Sequence, residues 1–234
     1  MKNLKKKKFL DPNLKNKLRT VEGKIQLFEF NGNMLPLPTE IEISESGTCN
    51  RSCAFCPRSA VGFEDKKEFI TNELHQKLCD QLKEIDYEGT IRYSGFVEPM
   101  LDKNIFNLID RARKCLPKVN IEMVTNGDPL NLKRLNRLFE VGLNKILISA
   151  YDSKEDADKL ENLCKKANLD KNQYIVRHRY YSEDSDFGIT LSNRAGLMEN
   201  AEFKIESLKE PLKKPCYIPS YTFFLDYQGD VLIC

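Results

Sequence analysis

The stretch Glu40–Cys56, EIEISESGTCNRSCAFC, carries the decisive reading of this chain. Glu40–Ser44 alternates polar and apolar side chains, the period of a β-strand with one apolar face. Three cysteines follow, Cys49, Cys53 and Cys56, spaced Cys-x3-Cys-x2-Cys. No fourth cysteine or histidine stands beside them; the nearest is His75. A structural zinc site closes its tetrahedron with four protein ligands, so the local triplet is one short. A 4Fe–4S cubane can use that shortage, because three thiolates hold three irons and leave one iron for a ligand that is not protein. Such an iron can coordinate a small molecule and pass it an electron. The rival reading from another class is a zinc-binding interaction protein whose remaining ligand comes from far along the chain.

Downstream, helix-like and strand-like segments alternate. Residues 71–85 place Leu74, Leu78, Leu82 and Ile85 at helical spacing behind Thr71, a good N-cap. Ile91–Ser94 reads as a second strand, Ile105–Leu116 as a helix and Asn120–Thr125 as a third strand. Leu132–Val141 reads as a helix ended by Gly142, Lys145–Ala150 as strand four, Lys154–Ala167 as a helix and Tyr174–Tyr180 as strand five. Such alternation argues for parallel βα units with right-handed crossovers, in an open sheet or a barrel. In either case the site lies at the C-terminal ends of the strands. Residues 24–37 form an expected hairpin around Asn31-Gly32-Asn33 before the main fold. A second hairpin is expected in Tyr221–Asp226 and Val231–Cys234, while residues 182–210 resist a sixth βα unit.

The triplet, in a loop after a strand, resembles the signature of the radical S-adenosylmethionine (SAM) superfamily. Four more segments follow in that family's order. Tyr93-Ser94-Gly95-Phe96-Val97-Glu98-Pro99 is similar to its Gly-Gly-Glu-Pro segment, with Val97 where the family usually has glycine. Thr125-Asn126-Gly127 ends strand three, Ser149 lies on strand four, and Asn193-Arg194-Ala195-Gly196 resembles a turn of members with an auxiliary-cluster domain. The resemblance implies an α/β fold, a partial (β/α)6 barrel with hairpins at both ends. Its segments are 1–38, basic with a hairpin; 39–210, the barrel; and 211–234, the start of a SPASM- or twitch-like domain. It implies that Cys49, Cys53 and Cys56 ligate the cluster and that SAM chelates the open iron. Electron transfer then cleaves SAM to methionine and a 5′-deoxyadenosyl radical, which abstracts hydrogen from the substrate.

The same resemblance assigns SAM-binding roles. Phe55 is expected near the adenine, Gly95 and Glu98 at the amino group, and Asn126 and Ser149 near the ribose or carboxylate. Arg177 and Arg179 share one face of strand five and His178 the other, so an inward arginine can pair with the SAM carboxylate; the pattern does not say which face is inward. Arg194 is a further candidate. Twelve residues separate Cys216 from Gly229 and four separate Gly229 from Cys234, similar to the opening of the auxiliary domains. These two cysteines would supply part of a second 4Fe–4S cluster, and the chain then reads as a fragment or abbreviated member. Cys79, Cys115 and Cys164 fall on helices and are expected as buried small hydrophobes. His75 is expected at the surface or rim.

The chain has 234 residues, enough for one domain with a substantial core. Residues 1–24 hold nine Lys/Arg against two Asp/Glu, which outweighs the net charge of +2 and leaves the remainder acidic. The Lys5–Lys8 run is expected to be a solvated terminus, and no basic-aromatic interleaving points to nucleic acid. No stretch has transmembrane length or the layout of a signal peptide. Eight cysteines and low-potential iron–sulfur chemistry suit a reducing, cytoplasmic setting. An external donor such as flavodoxin or ferredoxin is expected. The substrate is expected to be a small polar molecule, of sugar or aminocyclitol type, undergoing oxidation. A peptide is the alternative, less favoured because no separate N-terminal domain offers to capture a leader.

Overall fold

The computed structural model describes residues 25–180, 210 and 218–232. Its elements are β1 (Leu27–Phe30), β2 (Asn33–Pro36), β3 (Glu40–Ser44), β4 (Ser46–Gly47), β5 (Lys66–Phe69), α1 (Asn72–Glu84) and β6 (Thr90–Tyr93). Then come α2 (Ile105–Cys115), β7 (Asn120–Thr125), α3 (Leu132–Glu140), β8 (Lys145–Ala150), α4 (Lys154–Lys166) and β9 (Tyr174–His178). The described chain ends with α5 (Ile218–Tyr221), β10 (Thr222–Asp226) and β11 (Val231–Leu232). Arg194, Cys216 and Cys234 lie outside the described residues, as does most of the segment in which a sixth βα unit was hard to place.

The main sheet runs β11-β10-β3-β6-β7-β8-β9. All pairs are parallel except β10 with β11. Within it β3, β6, β7, β8 and β9 follow sequence order, as expected of consecutive right-handed βα units. Their alternation divides the sheet cleanly. Ile41, Ile43, Ile91, Tyr93, Ile121, Met123, Ile146 and Ile148 share one core with the apolar stripes of the four long helices. Side-chain caps start these helices where the sequence offers them: Thr71 accepts from Leu74 N, Asn131 from Arg134 N and Ser153 from Asp156 N.

The opposite face carries a cluster of polar and charged side chains beside the apolar Val124, Leu147, Ile175 and Phe224. On it Arg92 pairs with Glu40 and, at 2.9 Å, with Glu122, which also accepts from Asn120 Nδ2 at 2.8 Å. All three charged groups are largely shielded from water, so this inner face has an ionic floor. Toward the strand ends, Ser94 Oγ donates to Glu42 at 2.6 Å and Arg177 Nη2 donates to Ser149 Oγ at 2.6 Å. The register Ser149↔Arg177 puts Arg177 on this inner face, which settles the parity that the strand pattern left open.

Two features depart from the sequence reading. His75 is fully buried rather than at the surface: it shares the inward face of α1 with Leu78, Cys79 and Leu82 and bonds Tyr93 Oη at 2.8 Å. Burial pushes its pKa down to about 4, which keeps the ring neutral. The C-terminal hairpin is present, but β10 also lies parallel against β3 in full register from Thr222↔Glu40 to Asp226↔Ser44. Cys79 and Cys164 are buried, as expected of helix thiols, and Cys115 is half-buried. Replacing any of the three with serine should lower the melting temperature without changing the iron content of reconstituted protein, measured by colorimetric iron assay.

Candidate active site

A two-strand ladder closes the base of the cysteine loop. Ser46 and Gly47 of β4 pair with β5, and Ile70 N donates to Glu45 O at 2.7 Å. Glycine is required at 47, since a Cβ there would lie 2.5 Å from Lys66 O. Within the loop, Cys56 N donates to Cys53 O at 2.8 Å, and Arg58 crosses to the carbonyls of Gly47 and Phe96. The loop is thus tied to itself and to the segment after β6.

The three thiols are half-buried and line one cleft with Phe55, Gly95, Glu98, Asn126 and Tyr151. Cys49 Sγ accepts from Arg51 N at 3.4 Å and from Asn126 Nδ2 at 3.9 Å. Burial raises the Cys53 thiol to about 11, helped by the neighbouring Cys56 and Cys49, so iron must displace protons to bind. Burial likewise raises Cys49. Among the described residues no three His, Cys, Asp or Glu side chains stand at the spacing of ligands to one metal ion. Three thiols in one loop suit a cubane, which takes one thiolate per iron.

Glu98 is placed by the short 3-10 turn Pro99–Leu101, for which it is the N-cap. Its carboxylate is only 1% exposed and accepts from Met100 N (2.9 Å), Thr125 Oγ1 (2.7 Å) and Asn126 N (2.7 Å). Desolvation raises its pKa, and the three donors oppose the rise. The sequence reading anticipated a carboxylate facing SAM; the structure adds that it pins the β6 loop to the end of β7. Gly95, at φ 117°, allows this turn with Ser44 beside it. Glu98→Gln should therefore weaken SAM binding and also cost about 1.5–3 kcal/mol of stability, because an amide N–H would face the Asn126 N–H. Urea denaturation of the apo-protein checks the second effect apart from the first.

Ser149 stands beside the cleft, near Tyr151, which lines it. Tyr151 in turn packs on Phe55 with ring centroids 5.6 Å apart. Arg51, Arg58 and Asp128 belong to the constellation although no role was expected of them, as do Tyr151 and Asp152, which follow the strand-four serine. Charged loop residues carry no periodicity, so only the fold brings them together.

A model of the radical SAM superfamily matches residues 43–180, which include the cysteine loop, Glu98, Asn126, Ser149 and Arg177. The chain belongs to the radical SAM superfamily. Radical SAM enzymes therefore supply its functional frame, and three comparisons sharpen it. The S-adenosyl-L-methionine-dependent 2-deoxy-scyllo-inosamine dehydrogenase of Niallia circulans is 29% identical over 83% of this chain and 72% of its own. The crystal structure of BtrN with AdoMet and 2-DOIA matches with a TM-score of 0.67 at 27% identity, over 86% of this chain and 74% of that one. A GTP 3′,8-cyclase from Mesorhizobium japonicum is 27% identical over 56% of this chain and 39% of its own. This radical SAM protein is an enzyme of oxidoreductase type with the α/β sheet of its relatives.

Proposed function

We propose that the protein is a SAM-dependent dehydrogenase that oxidises a secondary alcohol on a small, polar, amine-bearing ring of the aminocyclitol type. The observation that carries this reading is the set of polar pairs on the inner face beside the cysteine loop, where Glu42 with Ser94 and Ser149 with Arg177 offer both donors and acceptors. A polyhydroxylated ring needs that kind of wall, because a site built to bond hydroxyl and amino groups rejects analogues that lack them. The similarity to an inosamine dehydrogenase over most of both chains supports the same substrate class.

In this reading Cys49, Cys53 and Cys56 hold three irons of a 4Fe–4S cluster. When bound, cluster and SAM supply a 5′-deoxyadenosyl radical that removes hydrogen from the carbinol carbon. Phe55 borders the adenine and Gly95 lets the backbone approach SAM. A carboxylate has about four acceptor positions; Glu98 commits three to protein donors, which leaves one for the SAM amino group. Asn126, Ser149 and Arg177 serve the ribose and carboxylate, and Arg194 is assigned with them. Cys216 and Cys234 belong to an auxiliary 4Fe–4S cluster that accepts the second electron of the oxidation. The division at 1–38, 39–210 and 211–234, an external flavodoxin or ferredoxin, and a reducing cytoplasmic setting complete the proposal. No helix among the described residues is long and apolar enough to cross a membrane.

The test uses the full chain, reconstituted and reduced without oxygen, with substrates carrying deuterium on a carbinol carbon. Deuterium should appear in 5′-deoxyadenosine from an aminocyclitol, with one ketone formed per SAM consumed. Label arriving only from a peptide would move the protein to the peptide-modifying class.

A further inference from the structure

Arg51 lies between two of the thiols and is engaged on every side. Its Nε and Nη2 donate to Asp128 at 2.6 and 2.5 Å, and its Nη1 and Nη2 donate to Asp152 at 2.6 and 2.8 Å. Asp128 follows β7 and Asp152 follows β8, so one guanidinium joins the cysteine loop to two separate strand ends. A planar fork suits this double bidentate contact as no other side chain does. The guanidinium also sits 5.6 Å from the centre of the Tyr151 ring, whose neighbour is Phe55. A second set of bonds runs in parallel: Asn50 Nδ2 donates to Asp128 at 2.7 Å, and Asn126 Nδ2 donates to Asn50 Oδ1 at 2.7 Å.

We infer that Arg51 is a positioning residue: through Asp128 and Asp152 it holds the cysteine loop in the geometry that receives the cluster, before any iron is bound. This rests on the reading that Cys49, Cys53 and Cys56 are the iron ligands. The physical need follows from the loop itself. Residues 48–65 lie outside any strand or long helix; the β4–β5 ladder, Arg58 and the bond from Glu98 N to Thr48 O hold their base. A loop tethered at its base alone samples many arrangements of its three thiols, and ordering them would then fall on cluster assembly. The clamp fixes the leading half of the loop, where Cys49 and Cys53 reside, to the sheet's rigid end.

The clamp makes a local prediction that general destabilisation does not. Chymotrypsin can cut after Phe55, inside the loop, and after Phe106, partly buried on α2. In the reduced apo-protein, Arg51→Ala should speed cleavage after Phe55 by about tenfold or more, since cleavage follows the population of the open loop. Cleavage after Phe106 should keep its wild-type rate. Arg51→Lys keeps the charge but loses the fork, and should fall between. Iron uptake by Arg51→Ala during reconstitution should slow in step with loop opening.

Removing Arg51 also strands two carboxylates, so a triple variant Arg51→Leu, Asp128→Asn, Asp152→Asn separates clamping from repulsion. Persistently fast cleavage after Phe55 in the triple variant supports the clamp. Restoration of the wild-type rate there would overturn it, as would an unchanged rate in Arg51→Ala or an equal rise after Phe106. The two readings fail differently. If the cysteines are not the iron ligands, wild-type protein itself takes up no iron at them, whatever the cleavage rates show. If only the clamp is wrong, wild-type protein loads iron and Arg51→Ala is cut like wild type.

Discussion

Replacing Cys53 with alanine should abolish cluster assembly and 5′-deoxyadenosine formation together. Cys53 and Cys56 are joined through the backbone bond Cys56 N to Cys53 O, and all three thiols face the cleft that Glu98 and Asn126 border. Two thiolates would leave two irons without protein ligands, and a cubane with a single open iron needs three. The fold should tolerate the change, because each of the three thiols is only half-buried. Iron content, the visible absorption of the reconstituted protein and chromatographic detection of 5′-deoxyadenosine are the three measurements. The same outcome is expected for Cys49 and Cys56. A Cys53→Ala protein that still cleaved SAM would remove the triplet from the centre of the chemistry.

The second large effect is expected away from the cleft. Arg92→Met should cost about 3–5 kcal/mol of stability, because Glu40 and Glu122 would keep buried carboxylates without their shared cation. Glu122 would retain the Asn120 amide. Lowering the pH should narrow the deficit, since protonation neutralises the stranded carboxylates. Adding Glu40→Gln and Glu122→Gln should recover much of the loss, because the uncompensated charge then disappears. Guanidinium denaturation midpoints across the four proteins would show this. If Arg92→Met unfolded at the wild-type midpoint, the ionic floor would have no energetic role.

The main elements were legible because their physics is local. The 3.6-residue stripe and the capping residues of α1, α3 and α4 stand in the sequence, and β7 and β8 have the bounds that alternation suggests. Strand five was drawn two residues too long, to Tyr180, because Arg179 and Tyr180 continue the alternation after pairing ends at His178. His75 could have been read as buried from its position on the apolar stripe of α1, beside Leu78, Cys79 and Leu82. Arg51, Asp128 and Asp152 could not be found in this way. Their meeting depends on which strands are neighbours, and nothing near residue 51 encodes residues 128 and 152. The same limit applies to β10, whose hairpin with β11 is a local signal while its pairing with β3 is not.

That last pairing has a consequence for how the chain comes to be folded on the ribosome. β3 gains β6 early, but its other edge waits for β10, and beside it Thr39 Oγ1 donates to Tyr221 O across 182 residues of sequence. At about 5–20 residues per second, the interval is roughly 10–35 s. For that time the strand leading into the cysteine loop presents bare amide and carbonyl groups, the feature that invites pairing with another chain. Any product of translation that stops before Thr222 would keep this edge open permanently. Synthesis through β10 is thus a condition for closing this edge, and termination before it should yield aggregates rather than a smaller working enzyme.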